Sequence, residues 1–67
     1  MIAYRLLTGS DDAEFCHKVT AALDGGWRLY GDPQYAFDTG AGVMRCAQAV
    51  TKHVGGSYDP ELKLGDL

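Results

Sequence analysis

Two consecutive glycines, Gly25-Gly26, divide this chain into stretches with different periodicities. Before them Phe15, Val19, Ala22 and Leu23 follow i, i+4, i+7, i+8 spacing with Cys16 on the flank, which is a helix with one buried face. Glu14, His17, Ala21 and Asp24 fall on its outer face. After the glycines, Trp27-Arg28-Leu29-Tyr30 and Gln34-Tyr35-Ala36-Phe37 read as strand. Glycine ends a helix because it adopts the left-handed C-cap conformation without a Cβ clash. The rings of GGWRLYGDPQYAF therefore belong to a new strand, with Trp27 as its first anchor.

The rest of the chain builds outward from this break. IAYRLLTG reads as a first strand, closed by the turn formers Thr8-Gly9-Ser10. Asp11 is expected to cap the helix, with Glu14 completing a D-x-x-E capping box. Residues 27–31 and 33–38 form one bent strand or two short ones. Pro33 cannot donate to a ladder and puts this segment at an edge or a bulge. Thr39-Gly40-Ala41-Gly42 reads as a hairpin loop, and residues 43–54 as the longest and central strand. Residues 1–54 are thus one domain, and residues 55–67 a flexible tail with weak apolar anchors at Tyr58, Leu62 and Leu64. Strand, helix, strand, strand predicts an α+β βαββ unit. Its three-stranded antiparallel sheet has order 1-3-2, a right-handed crossover, and one helix on one face. Trp27 and Phe15 are expected to pack together under that helix.

A unit of 67 residues buries little surface, and small cores of this kind rarely supply more than about 3–5 kcal/mol unaided. Cys16 and Cys46 read as a reduced thiol pair. The first residues, MIAYRLLTG, lack the apolar run of a signal peptide, and no run is long enough for a membrane span. The expectation is a cytoplasmic protein. A homo-oligomer, dimer or tetramer, is the remaining route to stability. A net charge of −3 argues against a DNA partner and against general nucleic-acid binding.

Four of the six basic residues, Arg5, Arg28, Arg45 and Lys52, lie in the expected strands. Trp27 and Leu29 as the core pair of their strand send Arg28 and Tyr30 to the face without a helix. Arg45 and Arg5 are expected to join them, because a guanidinium is a poor neighbour for an apolar helix. The candidate ligand-binding residues are therefore Arg5, Arg28, Tyr30, Tyr35 and Arg45. Arginines fork onto phosphate and tyrosines stack on bases, so the set suits a compact anionic nucleotide. The bland alternative is a solvated face of snorkelling arginines. His17 and His53 read as solvent-exposed and the cysteines as core packing. No phosphate loop or dinucleotide fingerprint is present. The reading is non-enzymatic, with no cofactor and no metal.

YRLLTGSDDAEFCHKVTAAL, followed by GGWRLYGDP and AQAVTK, resembles a family of short bacterial and phage proteins whose domain has no assigned function. The shared pattern is YRLLTG, DDxxFC, GWxLYGxP and AQAV, over most of residues 4–52. The resemblance implies a βαββ unit and no particular activity. A looser likeness, in size, inferred oligomerisation and arginine-plus-aromatic content, is to phage sponge proteins. These sequester cyclic nucleotide signals of bacterial defence at subunit interfaces. It implies a nucleotide held between subunits without cleavage, either a cyclic dinucleotide or a cyclic ADP-ribose isomer. A bacterial protein-interaction module and a single-stranded RNA binder are the alternatives.

Overall fold

The computed structural model describes residues 1–67. Strand β1 is Ile2–Ser10, helix α1 Ala13–Asp24, strand β2 Arg28–Asp38 and strand β3 Val43–His53. The sheet is antiparallel with order β1-β3-β2, and the helix lies on one face, as the chain order predicts.

The helix starts one residue later than expected. Asp12, not Asp11, is the N-cap, and its carboxylate accepts the Phe15 N–H at 3.2 Å. Asp11 is still tied to the sheet, because its N–H donates to the Met44 carbonyl and its carboxylate accepts the Tyr35 hydroxyl at 2.6 Å. A residue so held cannot turn its side chain onto the helix.

The helix ends at the glycine pair, and only Gly26 has positive φ, at 95°. The Gly26 N–H donates to the Leu23 carbonyl and the Trp27 N–H to the Ala22 carbonyl, the two bonds of a Schellman motif. The hydrophobic contact that accompanies this motif is made here by Trp27 and Ala22, both in the core cluster. One short turn thus stops the helix and places the tryptophan beneath it.

That cluster is Ala3, Leu7, Ala22, Trp27 and Val50, with Phe15 and Val19 packed against it. Phe15 lies at the opposite end from Trp27, close enough that a Cβ on Gly9 would sit 3.2 Å from its ring. Leu23, expected inside, is largely exposed, and so is Leu29. The helix lies closest to β1, so the β2 side of the same face is only partly covered.

Register corrects the faces of β1. Ala3, Arg5 and Leu7 pair with Lys52, Val50 and Gln48, and all of these point to the helix side. Ile2, Tyr4 and Leu6 stand on the open side. Arg5 does face the helix layer. It is accommodated through its guanidinium, whose carbon lies 5.1 Å from the Trp27 ring centroid and which also lies beside Gly65 of the C-terminal turn.

β2 runs as one strand with a register irregularity. Tyr30 pairs with Ala49 and Gln34 with Ala47, so β2 holds two residues more than β3 between these pairs. The excess falls at Gly31-Asp32-Pro33, on an edge strand, where the missing proline donor costs least. The buried Gln48 amide serves this irregularity, donating to the carbonyls of Tyr30 and Gly31 and to that of Ala49.

The tail, read from sequence as flexible, ends in a 3-10 turn over Leu64–Asp66. Leu64 and Leu67 pack on the core cluster, and the Lys52 ammonium donates to the carbonyls of Gly25 and Leu67. Residues 55–63 are exposed.

Two substitutions test this account. Trp27→Ala should cost about 3–5 kcal/mol, as large aromatic deletions do, and leave no cooperative unfolding transition. Gly26→Ala should cost about 1–2 kcal/mol through left-handed strain alone, with a cooperative transition retained. Chemical denaturation followed by tryptophan fluorescence measures the second; far-UV circular dichroism serves the first.

Candidate functional site

Alternation along three paired strands places one row of side chains after another on the open face. Tyr4, Thr51 and Arg28 share a row; Leu6, Ala49 and Tyr30 share the next; Thr8, Ala47 and Gln34 follow. The central strand contributes small residues in these rows, and in the first two the outer strands contribute large ones. The result is a trough with a floor of Ala47, Ala49 and Thr51. Its walls stand two strand spacings, about 9–10 Å, apart. Tyr4 and Leu6 form one wall, Arg28 and Tyr30 the other, and all four are exposed. A planar ring fits between such walls.

The five residues expected to form one pocket divide between two faces. Arg28, Tyr30 and Arg45 stand on the open face. Arg5 is on the helix face, packed on Trp27, and lines a hollow of about 360 Å³ beside Lys18 and the C-terminal turn. Tyr35 pairs with Cys46 on the helix side, beyond the end of the helix. Arg28 and Arg45 do not converge either. Their β3 rows, Thr51 and Arg45 itself, are six residues or about 20 Å apart. Tyr4 is the residue that sequence reasoning missed. It belongs with Arg28 across Thr51, and the sign was its alternation with Ala3 and Leu7, small and apolar residues suited to lie under a helix.

Arg45 is engaged at the far end of the trough. Its Nε donates to Asp38 at 3.2 Å and its Nη1 to the Ser10 hydroxyl at 2.7 Å. Asp38 also accepts the N–H groups of Gly40 and Ala41, so one carboxylate orders the hairpin loop and the arginine together. The Ala41 N–H, followed by the Arg45 guanidinium, holds the Asp38 carboxyl below its ordinary 3.8, against a smaller opposing push from burial. Tyr35 moves the other way. Its bond to Asp11 holds the proton, and burial and the Asp11 charge add to this, so the phenol titrates above its ordinary 10.0. Cys16 and Cys46 are free thiols. Burial, then the charges of Asp11, Cys16 and Asp12, push the Cys46 thiol up, which disfavours the reactive thiolate.

Residues 1–53 match the family described as Domain of unknown function (DUF1737). The chain belongs to that family. The matched span closes with the last residue of β3, so the DUF1737 unit here is the βαββ sheet and helix, with the 3-10 turn outside it. Among curated proteins and among solved structures, none is significantly similar to this DUF1737 chain. No helix in it is long and apolar enough to cross a membrane.

Asp38 generates a pH prediction. A carboxyl whose folded pKa lies below its unfolded value stabilises the fold above the unfolded pKa. That contribution is lost as pH falls through the folded pKa. The Asp38 carboxyl carbon should therefore titrate by NMR below the ordinary carboxylate range, and Arg45→Ala should raise its midpoint. An ordinary midpoint that Arg45→Ala leaves in place contradicts the assignment.

Proposed function

We propose that this DUF1737 chain is a non-enzymatic binding protein whose open-face trough holds a small planar anion. The carrying observation is the arrangement of Tyr4, Arg28 and Tyr30 around a floor of alanine and threonine. Tyrosine faces stack on a heterocycle, and a guanidinium on the same wall can fork onto a phosphate. Arg45 has Asp38 and Ser10 as partners, whereas Arg28 carries no ion pair within the chain, the one salt bridge being that of Arg45. One arginine without an ion pair on this face of an acidic protein of net charge −3 suits a compact anion better than a long polyanion. The narrowest form of this reading is sequestration of a nucleotide signal, a cyclic dinucleotide or a cyclic ADP-ribose isomer, released unchanged.

A second reading, a protein-interaction module, is favoured by Ile2 and Leu6, which extend the apolar face beyond what one small ligand would cover.

Thermal shift against cyclic di- and trinucleotides, cyclic ADP-ribose isomers and short oligoribonucleotides separates them. A ligand at a hundredfold excess over its Kd adds about 2.7 kcal/mol, which a domain this small would register plainly. The expected outcome is stabilisation by a compact nucleotide, weakened by Arg28→Lys and by Tyr30→Ala, with the ligand recovered intact after heating. No shift across the panel, or a cleaved ligand, removes the nucleotide reading. Stabilisation by oligoribonucleotides alone would mean a single-stranded RNA binder.

A further inference from the structure

The trough is open to solvent along its length, and the whole chain is under-buried for its size. Its accessible surface is 4862 Å², whereas a folded monomer of 7.2 kDa exposes about 4,100 Å². Its radius of gyration is 13.4 Å, against roughly 11 Å for a compact domain of this length. The excess of about 700 Å² is close to the roughly 800 Å² that one partner contributes to a standard interface. Ile2, Tyr4, Leu6 and Tyr30, four of the large apolar side chains left exposed, stand together on the open face. A contiguous patch of that kind marks an interaction surface.

We infer that the occupant of this face is a second copy of the same chain, docked sheet to sheet about a two-fold axis parallel to β3. The inference rests on the reading of this face as the binding face and names its partner. Such an axis exchanges β1 with β2 and keeps each row in place. Across the Thr51 row, Tyr4 of one copy meets Arg28 of the other, a cation over a ring. Across the Ala49 row, Leu6 meets Tyr30. The walls of one trough thus stand on the walls of the other, and each contact occurs twice, as an isologous interface requires.

The same geometry completes the ligand site. Sheets stack about 10 Å apart, so two facing floors of Ala47 and Ala49 leave a slot between the walls instead of a filled core. The end of the slot near Thr51 receives tyrosine and arginine from both copies. A single chain offers half of that enclosure. The two Arg45 side chains also approach each other, but each arrives already paired with Asp38, so neutral pairs meet. Pairing through the outer edge of β2 is hindered instead by the interruption at Gly31-Asp32-Pro33.

Sedimentation equilibrium of the full chain at micromolar concentration should give twice the 7.2 kDa mass of one chain. Leu6→Lys and Tyr30→Glu should each reduce it to one chain, because each places a charge against an apolar partner. Mixing the two variants should restore the double mass, since this axis sets Lys against Glu on one side and leaves Leu6 against Tyr30 on the other. A wild-type mass of one chain, variants that remain double, or a mixture that stays single overturns the inference. If either variant loses its fold by circular dichroism, the wild type still decides. The Ala47 and Ala49 methyl groups should then be shielded from a soluble paramagnetic probe at high concentration and become accessible on dilution; accessibility at every concentration overturns it. Ligand binding is read separately: a monomer that binds a nucleotide refutes this interface alone, and a dimer that binds none refutes the ligand reading alone.

Discussion

The turn that delivers Trp27 under the helix is the constraint on which the structure depends. The Trp27 N–H closes the helix onto the Ala22 carbonyl, and its ring completes the apolar cluster at the same point. Two cations then lie over that ring, Arg5 at 5.1 Å and Lys52 at 5.9 Å. Lys52 also satisfies the carbonyl of Gly25 and reaches the carbonyl of Leu67. Helix end, first strand, central strand and C-terminal turn therefore all meet at one side chain. With a core of so few buried residues, little else is available to hold the helix to the sheet.

The placement of the helix has a consequence for the other surface. One helix of 12 residues, sitting nearest β1, covers only part of one face. β2 and β3, of 11 residues each, project beyond it, which is why Tyr35 and Phe37 remain exposed although they point to the helix side. The open face has no covering element at all within the chain. In its Thr51 and Ala49 rows the large side chains stand on the outer strands and the small ones on the central strand, so the surface there is grooved rather than flat. This grooved face, with Arg45 paired to Asp38 and Arg28 outside any ion pair, is the feature from which a function can be argued.

Much of the fold was legible from local chemistry. Alternation and helical spacing place each element within a residue or two, the glycine pair marks the helix end, and Pro33 marks the irregular edge strand. The candidate site was less legible. Arg28 and Tyr30 are read onto the correct face because Trp27 anchors the core side of their strand, and Arg45 because the rule that keeps arginine from the helix holds on β3. Arg5 and Tyr4 were interchanged because β1 offers apolar residues on both of its faces, and a rule that keeps arginine from the helix chose between them. That rule fails where a tryptophan ring lies ready to receive the guanidinium. Asp11 illustrates a similar competition: its sequence position suits a cap, but bonds to Met44 and Tyr35, remote in the chain, hold it to the sheet.

By itself, then, the sequence determined the kinds of element, their order and the 1-3-2 sheet. The elements follow from interactions between near neighbours: side-chain periodicity, the φ freedom of glycine and the missing donor of proline. The sheet order follows from the few ways that short connections let those elements pack. Only the tertiary structure decided which face of β1 is buried, which aspartate caps the helix, and that Gln48 feeds the carbonyls of the irregular strand. It alone decided that Tyr4 and Arg28 flank a common floor. Each of these depends on strand register across β3, and a shift of one residue would reverse every side chain in a strand. Register is set by the contacts that the whole sheet and helix make at once, which no local stretch of sequence contains.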